Sequence, residues 1–233
     1  MQKAPEIAGG IEEEITREKF GRNIFQRDIY FRHGEKLPTG ELAPAGFEQA
    51  KIAGEEMETT LKGPKVYHSE IKRAEDFGKT IQEATKSQKA YKARMRLEIG
   101  MTGYSKDFFK KWGELTKEKG ANGVMQWWLD FGKEKPDPGT SSPFEIASCF
   151  AKHVLTHTKM PERYYSGSKV DMINGTHGSI IEPFIAFALK EQIERDPINP
   201  KGKTLFEKMG GAFATAEAFE VDTMIDEDRK SVV

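Results

Sequence analysis

Strand-like and helix-like segments alternate along most of this 233-residue chain. That pattern predicts an α/β fold, a three-layer α/β/α sandwich around a mainly parallel central sheet. Three observations carry the prediction. Short runs rich in β-branched and aromatic residues occur at 28–31, 65–68 and 170–173. Between them, apolar residues recur at spacings of three and four, the period of a helix face. The segments richest in reactive side chains, 32–35, 68–73 and 174–178, each follow a strand directly. Ligands bind at that position in open α/β sheets.

Taken in order, residues 1–27 read as an N-terminal extension and 28–233 as one domain. The charged stretch Ile11–Phe20 is a short helix candidate bracketed by Gly9, Gly10 and Gly21. Asp28–Phe31 is the first strand. Phe47, Ala50, Gly54, Met57 and Leu61 form the apolar face of a helix that Gly63-Pro64 ends. Lys65–His68 is the second strand, and Ala74, Phe77, Ile81 and Ala84 mark the next helix. Tyr91–Leu97 alternates weakly and is the third strand candidate. Residues 101–141 differ in character: they hold all three tryptophans, Trp112, Trp127 and Trp128, among lysines and glycines. This region reads as a helical insertion that is either a lid over a substrate or the packing of an inserted subdomain. Ser142-Pro143-Phe144-Glu145 is a capping box with proline at the first helical position. The helix it opens carries Ile146, Ala147, Phe150, Ala151, Val154 and Leu155 on one face, with Cys149 read as core. Val170–Ile173 is the fourth strand, Ile180–Ile193 an apolar helix, and Ala212–Met224 a late strand or hairpin.

Composition removes several classes of function. Lys+Arg 36 against Asp+Glu 37 leaves a net charge of −1, so no basic excess points to nucleic acid as partner. A single cysteine rules out an internal disulfide framework and a multi-cysteine zinc site. No stretch approaches the ~20 apolar residues of a membrane span, and the acidic start AGGIEEEITREKF is unlike a secretory signal. These features lead us to expect a protein of a reducing compartment, the cytoplasm, with no membrane partner. Nothing in the sequence specifies an oligomeric state. His153 and His157 have the i, i+4 spacing of zinc ligands, yet no Glu follows His153 and no third ligand suggests itself. They read as a polar helix face, and no metal or other cofactor is expected.

The candidate chemistry begins at Arg32-His33-Gly34. A neutral imidazole is a competent nucleophile at neutral pH, and an adjacent guanidinium offers forked donors that fit a phosphoryl group. Gly34 permits the bend that would let both act together. The tripeptide is followed by Leu42-Ala43-Pro44-Ala45-Gly46-Phe47-Glu48-Gln49-Ala50, by Ser69-Glu70-Ile71-Lys72-Arg73-Ala74, and by Thr176-His177-Gly178. In this order, over about residues 28–195, the chain resembles the histidine phosphatase superfamily, with its phosphoglycerate-mutase-like fold. The resemblance implies that His33 is the nucleophile that becomes phosphohistidine. It implies that Arg32 and Arg73 grip the phosphoryl oxygens, and that His177 completes the phosphate pocket and stabilises transition-state charge. The proton donor of that family falls on Glu98, within Arg96-Leu97-Glu98-Ile99. The implied activity is that of a metal-independent phosphomonoesterase of the histidine acid type, acting on a phosphorylated small molecule. A phosphomutase with the same core, or an idle phosphate-binding module, are the alternatives. The chain departs from the mutase pattern at Lys36, where a small hydroxyl residue is common. It departs again at Thr39, where many members carry Asn, and at Gly139-Thr140-Ser141, where mutases often have Gly-Glu-Ser. These departures leave the transfer core intact and count against phosphoglycerate as substrate. If the insertion is a lid, Trp112, Trp127 and Trp128 favour a bulky or planar leaving group over a small sugar acid.

Overall fold

A computed structural model describes residues 21–57, 63–85, 93–188, 190, 210–228 and 231–232. The expected short helix at Ile11–Phe20, Leu61, Tyr91 and the end of the apolar helix at 191–193 lie outside the described residues. The order of elements is β1 (Ile24–Arg32), α1 (Pro44–Glu56), β2 (Lys65–His68), α2 (Lys72–Ala84), β3 (Ala93–Met95), α3 (Lys106–Leu129), α4 (Pro143–Thr158), β4 (Lys169–Thr176), α5 (Gly178–Ala188), β5 (Ala218–Ile225) and β6 (Ser231–Val232). The strands form one sheet in the order β3-β2-β4-β1-β5-β6. β1, β2, β3 and β4 run parallel, and β5 and β6 add antiparallel edges.

The period-2 alternation of side chains sorts the sheet into two cores. On one face, Tyr30, Tyr67 and Met172 pack with Phe108, Trp128, Phe150 and Ile180 of α3, α4 and α5. On the other, Ile29, Phe31, Val66 and Ile173 pack with Ala50 of α1 and Phe77 and Ile81 of α2. Two sheet faces, each covered by helices, are the three layers the sequence predicts.

The elements differ from the sequence reading in instructive ways. β1 starts at Ile24, four residues before the alternation at Asp28 signals it, because Gln26 and Asp28 are polar and yet fully buried. α1 buries Gly46, Ala50 and Gly54, while Phe47 is exposed: the helix approaches α2 closely through small residues, so the large one turns outward. In α4 the capping box forms, with the Ser142 side chain accepting from the Glu145 backbone and the Glu145 side chain from Ser142. The inward face of α4 differs from the expectation, however. His153 and His157 are buried and Leu155 and Cys149 are exposed. The two histidines turn inward because the sheet offers them polar partners: His157 Nδ1 lies 2.6 Å from Asp28 Oδ1, and His153 Nε2 lies 3.0 Å from Asn174 Oδ1. They are therefore not a solvated face; among the described residues no group of three or more His, Cys, Asp or Glu side chains that could hold a metal ion occurs. No helix among them is long and apolar enough to cross a membrane.

The insertion is helical, as expected. α3 kinks at Gly120, whose φ of 71° lies in the left-handed region that glycine tolerates. The aromatic residues of α3 divide between two jobs. Trp128 is fully buried in the core, whereas Phe109 and Trp112 face a cleft above the strand ends.

Candidate active site

The three candidate segments converge because β2, β4 and β1 are adjacent and parallel, so their carboxyl ends open on the same side. Arg32 ends β1 and pairs in register with Thr176, which ends β4. His33 continues the pairing, its backbone N–H donating to the Thr176 carbonyl. Ser69, just past β2, likewise donates to the Gly175 carbonyl. Arg73 enters on the first turn of α2.

Arg32, His33, Arg73 and His177 line a cleft of about 340 Å³. His33 is 6 % exposed and His177 is 3 % exposed, and their rings meet edge to face at 5.0 Å between centroids. The hydrogen bonds fix both tautomers. His33 Nδ1–H donates to the Gly34 carbonyl at 2.7 Å, which leaves a lone pair on Nε2. Arg73 Nε donates to that lone pair at 2.8 Å. The Arg73 Nη2 lies 3.5 Å from His177 Nδ1, and its Nη1 donates to the Gly40 carbonyl at 3.2 Å. With Nδ1 facing a cation, His177 carries its proton on Nε2 and donates it to Ser69 Oγ at 2.8 Å. Ser69 is thus a positioning residue that the sequence reading quoted only as part of a motif. Its signal is its place directly after a buried strand.

Electrostatics keep both imidazoles neutral. Burial lowers the His33 pKa to about 4; the Gly34 hydrogen bond opposes this, and the charges of Arg73, Arg32 and Lys36 add to it. Burial, then His33 and the same cations, hold His177 well below its ordinary value. Behind the cleft, Glu182 of α5 is fully buried with Oε1 4.0 Å from Arg32 Nη1. Burial raises its pKa to about 7, with Arg32 opposing. Arg32 Nη1 also donates to the Phe213 carbonyl, and Glu182 accepts the Phe213 N–H at 3.1 Å. A side chain on Gly178 would fall 3.2 Å from the Arg32 guanidinium and 2.8 Å from Glu182 Oε1. Glycine after His177 is therefore what lets Arg32 pass beneath it.

Four of the five expected site residues, Arg32, His33, Arg73 and His177, come together. Glu98 does not join them. It sits on the 3-10 turn Leu97–Ile99 after β3, where Ile99 takes the inward position and Glu98 is exposed. Thr176 Oγ1 pins that turn by donating to the Ile99 carbonyl at 2.7 Å. Glu98 is absent from the cleft lining. Lys36, singled out in the sequence only as a departure from a pattern, does line the cleft.

No protein-family model and no curated relative matches the sequence. Solved structures do resemble the chain in fold. A phosphoglycerate mutase from Bacillus anthracis superposes with a TM-score of 0.59 at 14% identity, covering 91% of this chain and 92% of its own. A mycobacterial glucosyl-3-phosphoglycerate phosphatase gives 0.53 at 16% identity, over 85% and 91%. A phosphoserine phosphatase from Entamoeba histolytica, in complex with 3-phosphoglyceric acid, gives 0.55 at 14% identity, over 89% and 94%. The layered sheet and these superpositions together show that the chain has a phosphoglycerate-mutase-like fold.

Proposed function

We propose that the protein is a metal-independent phosphomonoesterase that works through a phosphohistidine on His33. The observation that carries this reading is the His33 imidazole: neutral, with Nδ1–H fixed on the Gly34 carbonyl and the Nε2 lone pair turned to Arg73 in a cationic cleft. The phosphatases and the mutase that share the fold support the same reading.

In this reading a phosphoryl group enters between Arg32 and Arg73, and Arg73 exchanges its hydrogen bond to His33 for the phosphoryl oxygens. His33 Nε2 attacks phosphorus, the ester P–O bond breaks as the N–P bond forms, and the leaving oxygen departs as an alkoxide or phenoxide that takes its proton from water. The guanidinium groups and His177 meet the charge on the equatorial oxygens, so catalysis is positioning plus electrostatic stabilisation. Water then cleaves the N–P bond and releases inorganic phosphate. Glu98 as proton donor requires it to move into the cleft, since it is exposed and not among the residues that line it. With that turn pinned, Glu98→Gln is expected to change kcat for an alkyl phosphate by less than ~3-fold, the size of a surface effect. A loss of ~100-fold confined to alkyl phosphates would make Glu98 the acid.

The test is hydrolysis of p-nitrophenyl phosphate in EDTA, with release of inorganic phosphate and trapping of an acid-labile phosphoprotein. Transfer of the phosphoryl group to an added alcohol or sugar acid without phosphate release would show a mutase instead. Binding of vanadate with no turnover of any ester would show an idle pocket. A pH prediction follows from the lowered His33 pKa. A histidine whose folded pKa is depressed stays neutral as pH falls through its ordinary range near 6.5 and gains its proton only near 4. NMR titration of the ligand-free protein is expected to show His33 changing near pH 4; a midpoint near 6.5 would contradict this.

A further inference from the structure

We infer that Lys36 and the aromatic wall of α3 select a phosphomonoester whose leaving group has a flat apolar body and carries a second anionic group. This rests on the phosphomonoesterase reading and names its substrate class.

A phosphoryl dianion matches the charges of Arg32 and Arg73 at the floor of the cleft. Lys36 brings a third positive charge to the same cleft. It is exposed, three residues past the buried His33, so it stands toward the mouth. Its backbone is anchored by the bridge to Leu42, which closes the loop after His33. Among the described residues no carboxylate lines this cleft, and no ion pair of Lys36 occurs. Repulsion from Arg73 and Arg32, after burial, already disfavours its charge. An uncompensated cation held against two others is relieved when an anion arrives, and the dianion on the floor is already matched. The remaining charge therefore fits an anion on the leaving group. In the same cleft, Phe109, which is 46% exposed, and the half-buried Trp112 form an apolar wall. Such faces hold planar groups by stacking. A small polyol would leave them wet.

The experiment is calorimetric titration of the full chain with phenylphosphonate and its 2-, 3- and 4-carboxy isomers, for the wild type, Lys36→Met and Lys36→Arg. Phosphonates are not cleaved, so binding is read whether or not the protein turns esters over. At least one carboxy isomer is expected to bind the wild type about tenfold more tightly than phenylphosphonate, the worth of one charge-assisted contact. That gain is expected to vanish in Lys36→Met and to persist in Lys36→Arg, with phenylphosphonate itself changing less than ~3-fold. Three results would overturn the inference: no isomer preferred by the wild type, a preference that survives Lys36→Met, or an equal loss for phenylphosphonate. The last would place Lys36 on the transferred phosphoryl group. Parallel assays with phenyl phosphate report separately on phosphatase activity. Binding with the expected pattern but no turnover would leave the anion subsite standing and remove the hydrolytic reading.

Discussion

Replacing His33 with alanine is expected to cut kcat for p-nitrophenyl phosphate at least ~10⁴-fold, the scale of removing a covalent nucleophile. The same change is expected to leave phosphate or vanadate affinity within ~5-fold, or to tighten it. The reason lies in what His33 does at rest. It adds no charge to the cleft, because its imidazole is neutral, and it holds the Arg73 Nε at 2.8 Å. Removing it deletes the attacking atom and frees the guanidinium for an oxyanion. Rapid-quench labelling with a ³²P ester measures the covalent step directly. If the variant still forms an acid-labile phosphoprotein, the nucleophile is another group. His177, its ring 5.0 Å away, would be the first to examine.

The second large effect concerns stability. His157→Ala is expected to destabilise the fold by about 3–5 kcal/mol, the cost of leaving a buried charge without its partner. Asp28 and His157 are each 1% exposed in their side chains and lie 2.6 Å apart. Asp28 also accepts from Gln26 at 2.6 Å, and the His157 ring lies tilted against His153 at 4.0 Å between centroids. Once the histidine is gone, the buried carboxylate keeps only the neutral amides of Gln26 and Asn174. Urea unfolding measures the loss. Adding Asp28→Asn to the same chain is expected to recover part of it, because a neutral amide is cheaper to bury than a charge. A loss below ~1 kcal/mol would mean that the pair contributes nothing beyond packing. The cluster lies about 13 Å along β1 from Arg32 at the strand rise of ~3.3 Å per residue. Turnover per folded molecule is therefore expected to hold.

How much of this was legible in the sequence depends on the kind of signal. The strand-end segments were legible because backbone topology alone places them: once β1, β2 and β4 are parallel neighbours, Arg32, His33, Arg73 and His177 converge. The capping box of α4 was legible for the same local reason. The inward turn of His153 and His157 was not, because periodicity assigns polar residues to solvent. The partners that overrule it, Asp28 and Asn174, are more than 15 residues distant in sequence. Cys149 went the other way: its neighbours Ile146 and Phe150 are buried, yet it lies on the flank of the helix. Glu98 follows a motif whose last step depends on a turn, and a turn of three residues can present either Glu98 or Ile99 to the interior. The tryptophans of the insertion looked alike in sequence. In the fold, Trp128 is core and Trp112 is wall. Lys36 registered as a mismatch, since its meaning comes from the two arginines that the fold sets beside it.

In the proposed reaction, the hydrogen bond from Arg73 to His33 makes the resting protein its own inhibitor. The electron pair that would attack phosphorus is spent on the guanidinium until something outbids it, and only a strong oxyanion can. Neutral electrophiles that drift into the cleft meet a masked nitrogen, so reactivity is conditional on the ligand that justifies it. Diethyl pyrocarbonate, an acylating reagent without charge, should therefore modify His33 slowly in the wild type and faster in Arg73→Ala. Equal rates would show that the latch is open in solution. The arrangement converts a contact between two side chains into a filter that acts before any substrate is bound.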